Sequence, residues 1–272
     1  MPYALSDVLA VTERLWPSAG AESWDAPGLV TGEPHQSVSS IHLVVDAVAD
    51  SLDEAIAAGA DLVIAHHPLL LFGVKSVAET HYKGAVLAKL IRSETALLSA
   101  HTNADVVAEG TSAVLAARLG LTGLRPISPT GAEGNGIGRV GALPEAVTLG
   151  RLARMVAELL PPTAGGVRVA GSFDEPVQTI AVCGGAGDSL LSDPAVRAAD
   201  VYLTADLRHH PASEAREQHR LGFGPALIDV SHWASEWLWL ETAAAQLREA
   251  LPEASVTVSE VRTDPWDFAI VQ

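Results

Sequence analysis

The chain has 272 residues, of which 48% are hydrophobic and 18% charged, and this balance excludes a disordered or collagen-like chain. At ~150 residues per domain, the length predicts one large domain or two modest ones. The 17 Lys and Arg residues against 33 Asp and Glu residues give a net charge of −16 at pH 7. Because affinity for nucleic acid comes largely from cations that displace counterions from phosphates, this charge argues against a nucleic-acid partner.

The chain holds one cysteine, Cys183, so it can form neither a disulfide framework nor a CxxC zinc site. No basic segment followed by an apolar one opens the sequence, and no run of about 18 apolar residues occurs in it. These features predict a cytoplasmic protein without a membrane span, with its thiol packed in the core.

Apolar runs alternate with helical patterns along the whole chain. The predicted elements, in chain order, are a helix at 5–15, a strand at 41–45, a helix at 52–58, strands at 61–65 and 95–100, helices at 110–119 and 149–160, strands at 167–170 and 178–183, a helix at 188–198, strands at 200–204 and 226–230, and a helix at 234–250. Because parallel strands need long crossover connections, this alternation predicts an α/β protein with mainly parallel sheets.

Glycine and proline cluster between residues 128 and 138, which is typical of a domain boundary. We therefore predict two α/β subdomains. The first combines residues 1–128 with 229–272, the second spans 138–228, and residues 129–137 form the linker.

The first candidate ligands are His66 and His67, which follow the apolar run 61–65. Ligand sites in open parallel sheets lie outside the carboxyl ends of strands, so these imidazoles fall where chemistry is usually located. Successive side chains of an extended segment point to opposite sides, so each histidine would serve a different ion. The alternative is a structural pair that caps the strand.

The second group is His101 and Asp105, which follow the predicted strand at 95–100. Asp105 could bind a metal, whereas His101 could be a ligand, a supporting residue or a proton carrier. The alternative is that Asp105 and Asn103 only shape a turn, which such residues favour.

The third group is His232 and Glu236, where a predicted strand gives way to a helix. Residues four apart lie on one helical face with Cβ atoms ~5–6 Å apart, so the two side chains can reach a common ion. The alternative is a surface pair worth a few tenths of a kcal/mol.

Three strand ends thus offer imidazoles and carboxylates that we expect to meet between the two subdomains. The five predicted ligands are His66, His67, Asp105, His232 and Glu236. This donor set suits Zn, Fe or Mn rather than calcium, and it exceeds the three protein ligands of one catalytic zinc. We therefore predict two divalent ions per subunit, bridged by Glu236, and the hydrolysis that such a pair supports.

The segments 61–69 and 101–105 and the pair His232 and Glu236 resemble the signature of the NIF-three-like dinuclear metal centre hexameric proteins, also known as GTP cyclohydrolase I type 2-like. Segments 181–187 and 200–206 add to the resemblance. It implies a homohexamer, built as a trimer of dimers, with two ions per subunit on the five ligands above. Longer family members carry an inserted domain between the two halves, and the length of 272 residues with only a short linker at that place predicts that this chain lacks it.

The resemblance also implies a metal-dependent hydrolase of a small substrate of the nucleotide class. Its most specific form is ring opening of GTP with release of formate, for which His101 is the candidate catalytic proton carrier. The alternative is a non-catalytic metal-binding or regulatory hexamer. Asp206, His209 and His210 follow another strand, and the sequence leaves their role open between pocket wall, substrate contact and additional ligands.

Overall fold

A computed structural model describes residues 2–270 of the chain. Its strands, in chain order, are β1 (Tyr3–Ala4), β2 (Gly28–Thr31), β3 (Ser37–Val38), β4 (Ser40–Val44), β5 (Leu62–Ala65), β6 (Ala96–Ser99), β7 (Thr122–Arg125), β8 (Ser128–Pro129), β9 (Gly136–Ile137), β10 (Arg139–Thr148), β11 (Arg168–Ala170), β12 (Pro176–Ala186), β13 (Val201–Ala205), β14 (Ala226–Val230) and β15 (Ser255–Val258). Its α-helices are α1 (Leu5–Leu15), α2 (Ala49–Ala57), α3 (Tyr82–Arg92), α4 (Thr102–Asp105), α5 (Thr111–Arg118), α6 (Leu149–Leu159), α7 (Pro194–Arg197), α8 (His209–Arg220) and α9 (His232–Ala250).

The chain divides into two compact units. Within the described residues, the first unit comprises 2–104 and 240–263, and the second comprises 105–239 and 264–270. These bounds differ from the predicted subdomain boundaries. The stretches 105–128 and 229–239 cluster with the second unit, because β7 and β14 both belong to its sheet.

The first unit is built on a five-stranded sheet in the order β15-β4-β5-β6-β2. Its first four strands run parallel, and β2 closes one edge antiparallel to β6. All four residues of β5 are buried, as expected for a strand with both faces covered. Leu52 of α2 and Leu90 of α3 share one fully buried cluster with Val63 of β5 and Leu97 of β6. The carboxyl ends of β4, β5 and β6 therefore meet at one edge of the sheet.

The second unit holds a six-stranded mixed sheet in the order β11-β14-β13-β12-β10-β7. The pairs β12–β13 and β13–β14 are parallel, whereas the three remaining pairs are antiparallel. The prediction of a mainly parallel sheet is therefore correct in this unit only for the three central strands, β12, β13 and β14. The carboxyl ends of β12, β13 and β14 lead into Gly187, Asp206 and Ser231.

The predicted α/β class is confirmed, and most predicted elements lie within a few residues of their observed positions. The predicted helix at 188–198 is wrong. A 3-10 turn spans Asp188–Leu190, and the short helix Pro194–Arg197 follows with Asp193 as its N-cap. Proline is favoured at the first position of a helix, so Pro194 begins a new helix instead of continuing one.

The predicted linker at 129–137 contains a short antiparallel hairpin, formed by β8 and β9. The amide of Gly136 donates to the carbonyl of Val106 at 2.7 Å, so the hairpin is tied to the segment after Asp105. Among residues 2–270, no helix combines the length and the apolar composition needed to cross a membrane.

Candidate metal-binding residues

Three histidines of the first unit lie together at the carboxyl edge of its sheet. His66 and His67 follow β5, and His101 follows β6. The ring centroids of His66 and His67 are 5.0 Å apart, and those of His66 and His101 are 5.3 Å apart. One candidate ligand atom from each ring lies within 4.8 Å of the other two. We call these three residues the imidazole cluster.

The two adjacent histidines do not point to opposite sides, as a strand would require. Strand β5 ends at Ala65, so the alternation of side chains stops before His66. The amides of His66 and His67 still donate to the carbonyls of Val44 and Val45, at 3.0 and 2.8 Å. The backbone bends at His66 and His67, and the centroids of both rings lie close to that of His101, at 5.3 and 5.5 Å.

Hydrogen bonds fix which nitrogen of His66 and His67 is available to a metal. Nδ1 of His66 lies 2.9 Å from the carbonyl oxygen of Ala100, which can only accept, so this nitrogen carries the proton. Nδ1 of His67 lies 2.7 Å from Oδ1 of Asp46. A protonated Nδ1 leaves the lone pair of the neutral ring on Nε2, which is the usual arrangement of a metal-binding histidine.

His101 is oriented in the same way by Asp25. Its Nδ1 lies 2.8 Å from Oδ1 of Asp25, whose other oxygen accepts from the amide of Thr102 at 3.0 Å. Burial raises the pKa of Asp25, but the hydrogen bonds from Thr102 and His101 outweigh burial and hold the pKa below its usual value. Asp25 is therefore ionised at neutral pH, and Nε2 of His101 is the nitrogen that would bind a metal or carry a proton.

In the second unit, His232 and Glu236 face each other across one turn of α9. Their facing atoms, Nε2 and Oε1, are 3.1 Å apart. Ser231 caps the start of the helix, since its hydroxyl accepts from the amide of Ala234 at 3.2 Å. Glu236 is 3% exposed, and a buried carboxylate is costly without a cation or a donor beside it. This pair is not the solvated surface pair of the alternative interpretation.

The other nitrogen of His232 is held by Asp206. Nδ1 of the ring lies 2.7 Å from Oδ2 of Asp206. Burial lowers the pKa of His232, but the charges and hydrogen bonds of Glu236 and Asp206 outweigh burial and raise the pKa to about 11. The ring is therefore a cation between two carboxylates at neutral pH. A divalent ion could replace the proton on Nε2 and bind the Glu236 carboxylate in its place.

Gly185 leaves space beside this pair. Its φ is +70°, and a Cβ at this position would lie 2.3 Å from Oε1 of Glu236 and 3.2 Å from Nε2 of His232. The amide of Gly185 donates to the hydroxyl of Ser235 at 2.9 Å, which holds the end of β12 against α9. Any side chain here would fill the position where the two candidate ligands meet.

Asp105 lies at the start of the second unit, where Thr111 of α5 donates its hydroxyl to the carboxylate. Burial lowers the pKa of Arg139, an effect partly offset by the charge of Asp105. Arg139 is 2% exposed and donates to the carbonyl of Val107 at 2.7 Å. The Asp105 carboxylate and the buried Arg139 guanidinium thus attract each other inside the second unit.

Cys183 is 5% exposed, in agreement with the predicted core thiol. Burial and the charges of Asp105 and Glu236 raise the pKa of Cys183 to about 12. Two of the candidate ligands thus act on the same thiol of the second unit. A neutral, buried thiol is neither a metal ligand nor a nucleophile at neutral pH.

We expect the Cys183 thiol to resist labelling in the native protein. At pH 8 a pKa of about 12 leaves about one thiol in ten thousand ionised, and the thiolate is the reactive form. A chromogenic disulfide reagent should label the native chain over hours and the denatured chain within minutes, at one thiol per chain. Complete labelling of the folded protein within minutes would contradict this burial.

The donor chemistry of these residues fits a divalent transition metal. The first unit presents three imidazoles whose Nδ1 atoms are already held, and the second presents an imidazole against a buried carboxylate. Imidazole and carboxylate ligands suit zinc, iron and manganese, whereas calcium takes oxygen ligands.

The six predicted site residues thus fall in both units. His66, His67 and His101 lie in the first unit, whereas Asp105, His232 and Glu236 lie in the second. No role was predicted for three residues beside them, Asp25, Asp46 and Gly185, and the role of Asp206 was left open. Asp46 shortly follows β4, and Gly185 is the next-to-last residue of β12, so the position at a strand end is the signal that could have located these two. His209 and His210 are exposed at the start of α8, with ring centroids 5.2 Å apart.

The sequence matches a known family along nearly its whole length. Residues 3–265 match DUF34/NIF3, described as NGG1p interacting factor 3. A GTP cyclohydrolase 1 type 2 homolog from Streptomyces coelicolor is 48% identical over 269 residues, which cover 96% of this chain and 93% of that protein. The homolog from Mycobacterium tuberculosis is 33% identical over 379 residues, covering 98% of each chain. Since this chain has 272 residues, that relative contains residues that this chain lacks.

Solved structures share the fold. A Bacillus cereus protein related to NIF3 matches with a TM-score of 0.90 at 23% identity, over 99% of this chain and 100% of that one. The Staphylococcus aureus protein SA1388 matches with a TM-score of 0.88 at 25% identity, over the same shares of the two chains. The family resemblance predicted from the motifs is confirmed, and the chain belongs to the DUF34/NIF3 family.

Proposed function

We propose that this protein is a dinuclear-metal-dependent hydrolase of a small substrate of the nucleotide class, similar to GTP cyclohydrolase I type 2. The observation that carries this proposal is the orientation of its imidazoles. His66, His67, His101 and His232 each have Nδ1 bound to a carbonyl or carboxylate oxygen. In rings held in this way Nε2 is the nitrogen that a metal would bind, in His232 by displacing a proton, and such orientation is typical of metal-binding histidines.

The proposed centre takes its ligands from both units. His66, His67, Asp105, His232 and Glu236 would hold two divalent ions per subunit, of zinc, iron or manganese. Glu236 would bridge the ions, since it is buried and has two carboxylate oxygens. When bound, such a pair of ions supplies an activated water at neutral pH, which hydrolysis requires.

His101 would carry the proton of the reaction on Nε2. Asp25 holds the opposite nitrogen of the ring, so the imidazole can take up and release a proton without turning. A histidine is suited to this task because its ordinary pKa lies near neutral pH. The homohexamer, as a trimer of dimers, and the cytoplasmic location expected from the sequence belong to the same proposal.

The test is formate release from GTP by the metal-loaded protein and two variants. His101→Gln should retain the bound metal and lose about 10²–10⁴-fold in kcat, the usual contribution of a general acid or base. Asp105→Ala should lose both metal and turnover, because it removes a ligand.

Two results would overturn parts of this proposal. If the wild type shows no more turnover than Asp105→Ala, on GTP or on a panel of phosphoesters, the hydrolase assignment fails and the non-catalytic metal-binding alternative replaces it. If His101→Gln loses an ion, His101 is a ligand and its role as a proton carrier is wrong.

A further inference from the structure

Asp206 has a backbone conformation that its residue type disfavours. Its φ is +55°, in the left-handed region, and Glu94 is the only other non-glycine residue among the described ones with a positive φ. Asp tolerates this region better than most residues, but glycine is the residue that adopts it without cost. Strain of this kind persists only where the surrounding structure imposes it.

The turn around Asp206 is fixed from both sides. Before it, Ala205 is completely buried at the end of β13. After it, the amide of Leu207 donates to Oδ1 of Asp229 at 3.0 Å. Asp229 is 7% exposed and is paired with Arg168 on the neighbouring strand. The chain therefore passes position 206 in one conformation.

Packing does not explain why an aspartate occupies this position. The side chain of Asp206 is 59% exposed, so it fills no part of the core. Its Oδ2 accepts a hydrogen bond from Nδ1 of His232, at 2.7 Å. A glycine would satisfy the backbone, but it would leave the imidazole without this acceptor.

We propose that Asp206 is a positioning residue for metal binding: its carboxylate holds the His232 ring with Nε2 directed toward Glu236. The inference rests on the proposed function only in taking His232 as a metal ligand. A carboxylate behind a metal-binding histidine fixes the tautomer and raises the basicity of the ligand nitrogen. The strained turn is then retained because it places this carboxylate.

The test measures zinc affinity and thermal stability of the full-length protein, with Asp206→Gly and Asp206→Asn. Zinc affinity is measured by competition with a chromogenic zinc chelator, and thermal stability as the Tm of the metal-free protein. Asp206→Gly should bind zinc ~10–100-fold more weakly, the usual cost of losing such a partner, while its Tm stays equal or rises. Asp206→Asn keeps a neutral acceptor, so its zinc affinity should lie between those of the wild type and Asp206→Gly.

Glu94→Gly is the matched control, since it replaces the other left-handed non-glycine residue, which lies in the first unit. Glu94→Gly should bind zinc as tightly as the wild type does, and its Tm should be equal to that of the wild type or higher. Zinc affinity of Asp206→Gly within twofold of the wild type would overturn the inference, and so would a loss of affinity matched by an equal loss in Glu94→Gly. A wild type that binds zinc without hydrolysing GTP or any phosphoester of the panel would defeat the hydrolase assignment and leave the role of Asp206 standing.

Discussion

Replacing Glu236 by glutamine should reduce the bound metal from two ions per chain to less than one, while the protein remains folded. The carboxylate is 3% exposed and lies 3.1 Å from Nε2 of His232. Glutamine keeps the size of the side chain and one acceptor oxygen, but it loses the negative charge that draws cations and the second oxygen that would bridge them. Since losing a partner behind a ligand costs ~10–100-fold in affinity, losing the bridge itself should cost more than 100-fold.

Glu241→Gln provides the control for this change. It makes the same chemical replacement on the same helix, at a residue whose side chain is exposed and paired with Arg248. Its metal content should equal that of the wild type. The free energy of unfolding of metal-free Glu236→Gln should fall by about 1.5–3 kcal/mol, because a hydrogen bond between the charged His232 and a carboxylate is replaced by one to a neutral amide. Equal metal content in the two variants, measured by elemental analysis, would show that Glu236 is not a ligand.

Replacing Gly185 by alanine should abolish metal binding by His232 and Glu236 without unfolding the protein. The new Cβ would lie 2.3 Å from Oε1 of Glu236, so this carboxylate must move away from His232. The end of a flexible side chain can move, and the fold should therefore survive. The left-handed φ of +70° adds a cost of ~1–2 kcal/mol for a residue with a Cβ.

Gly184→Ala separates the loss of this space from a general effect on strand β12. A Cβ on Gly184 would meet no atom closer than 3.5 Å, which is ordinary contact. We expect Gly184→Ala to bind metal as the wild type does, and Gly185→Ala to have lost it, as judged by elemental analysis after dialysis. A Gly185→Ala protein with the wild-type metal content would show that Gly185 does not border the ions.

The alternation of apolar runs and helical patterns was sufficient to predict the α/β class and the buried strands β4, β5, β6, β13 and β14. These strands are apolar along their length because both of their faces are covered. Elements without that signal were missed. Helix α8 has no buried residue and a strongly polar sequence, so it shows no apolar stripe. Strand β10 contains Gly141 and Pro144, which argue against a strand in any sequence-based interpretation.

The sequence indicated the candidate ligands because strand ends collect functional side chains and because His232 and Glu236 show helical spacing; their role as ligands stays a prediction. The carboxylates behind the imidazoles could not be predicted. Asp46 is paired with His67 across 21 residues and Asp206 with His232 across 26, and no local pattern links such positions. The space beside Gly185 likewise depends on tertiary structure. Partners of this kind become visible only when the fold places them together.

Elemental analysis of the purified protein, together with its Glu236→Gln variant, tests the central claim most directly. Zinc, iron or manganese at two ions per chain in the wild type, with less than one in the variant, is the result that the proposed centre predicts. A wild type that acquires none of these metals after incubation with each of them and removal of the excess would contradict it.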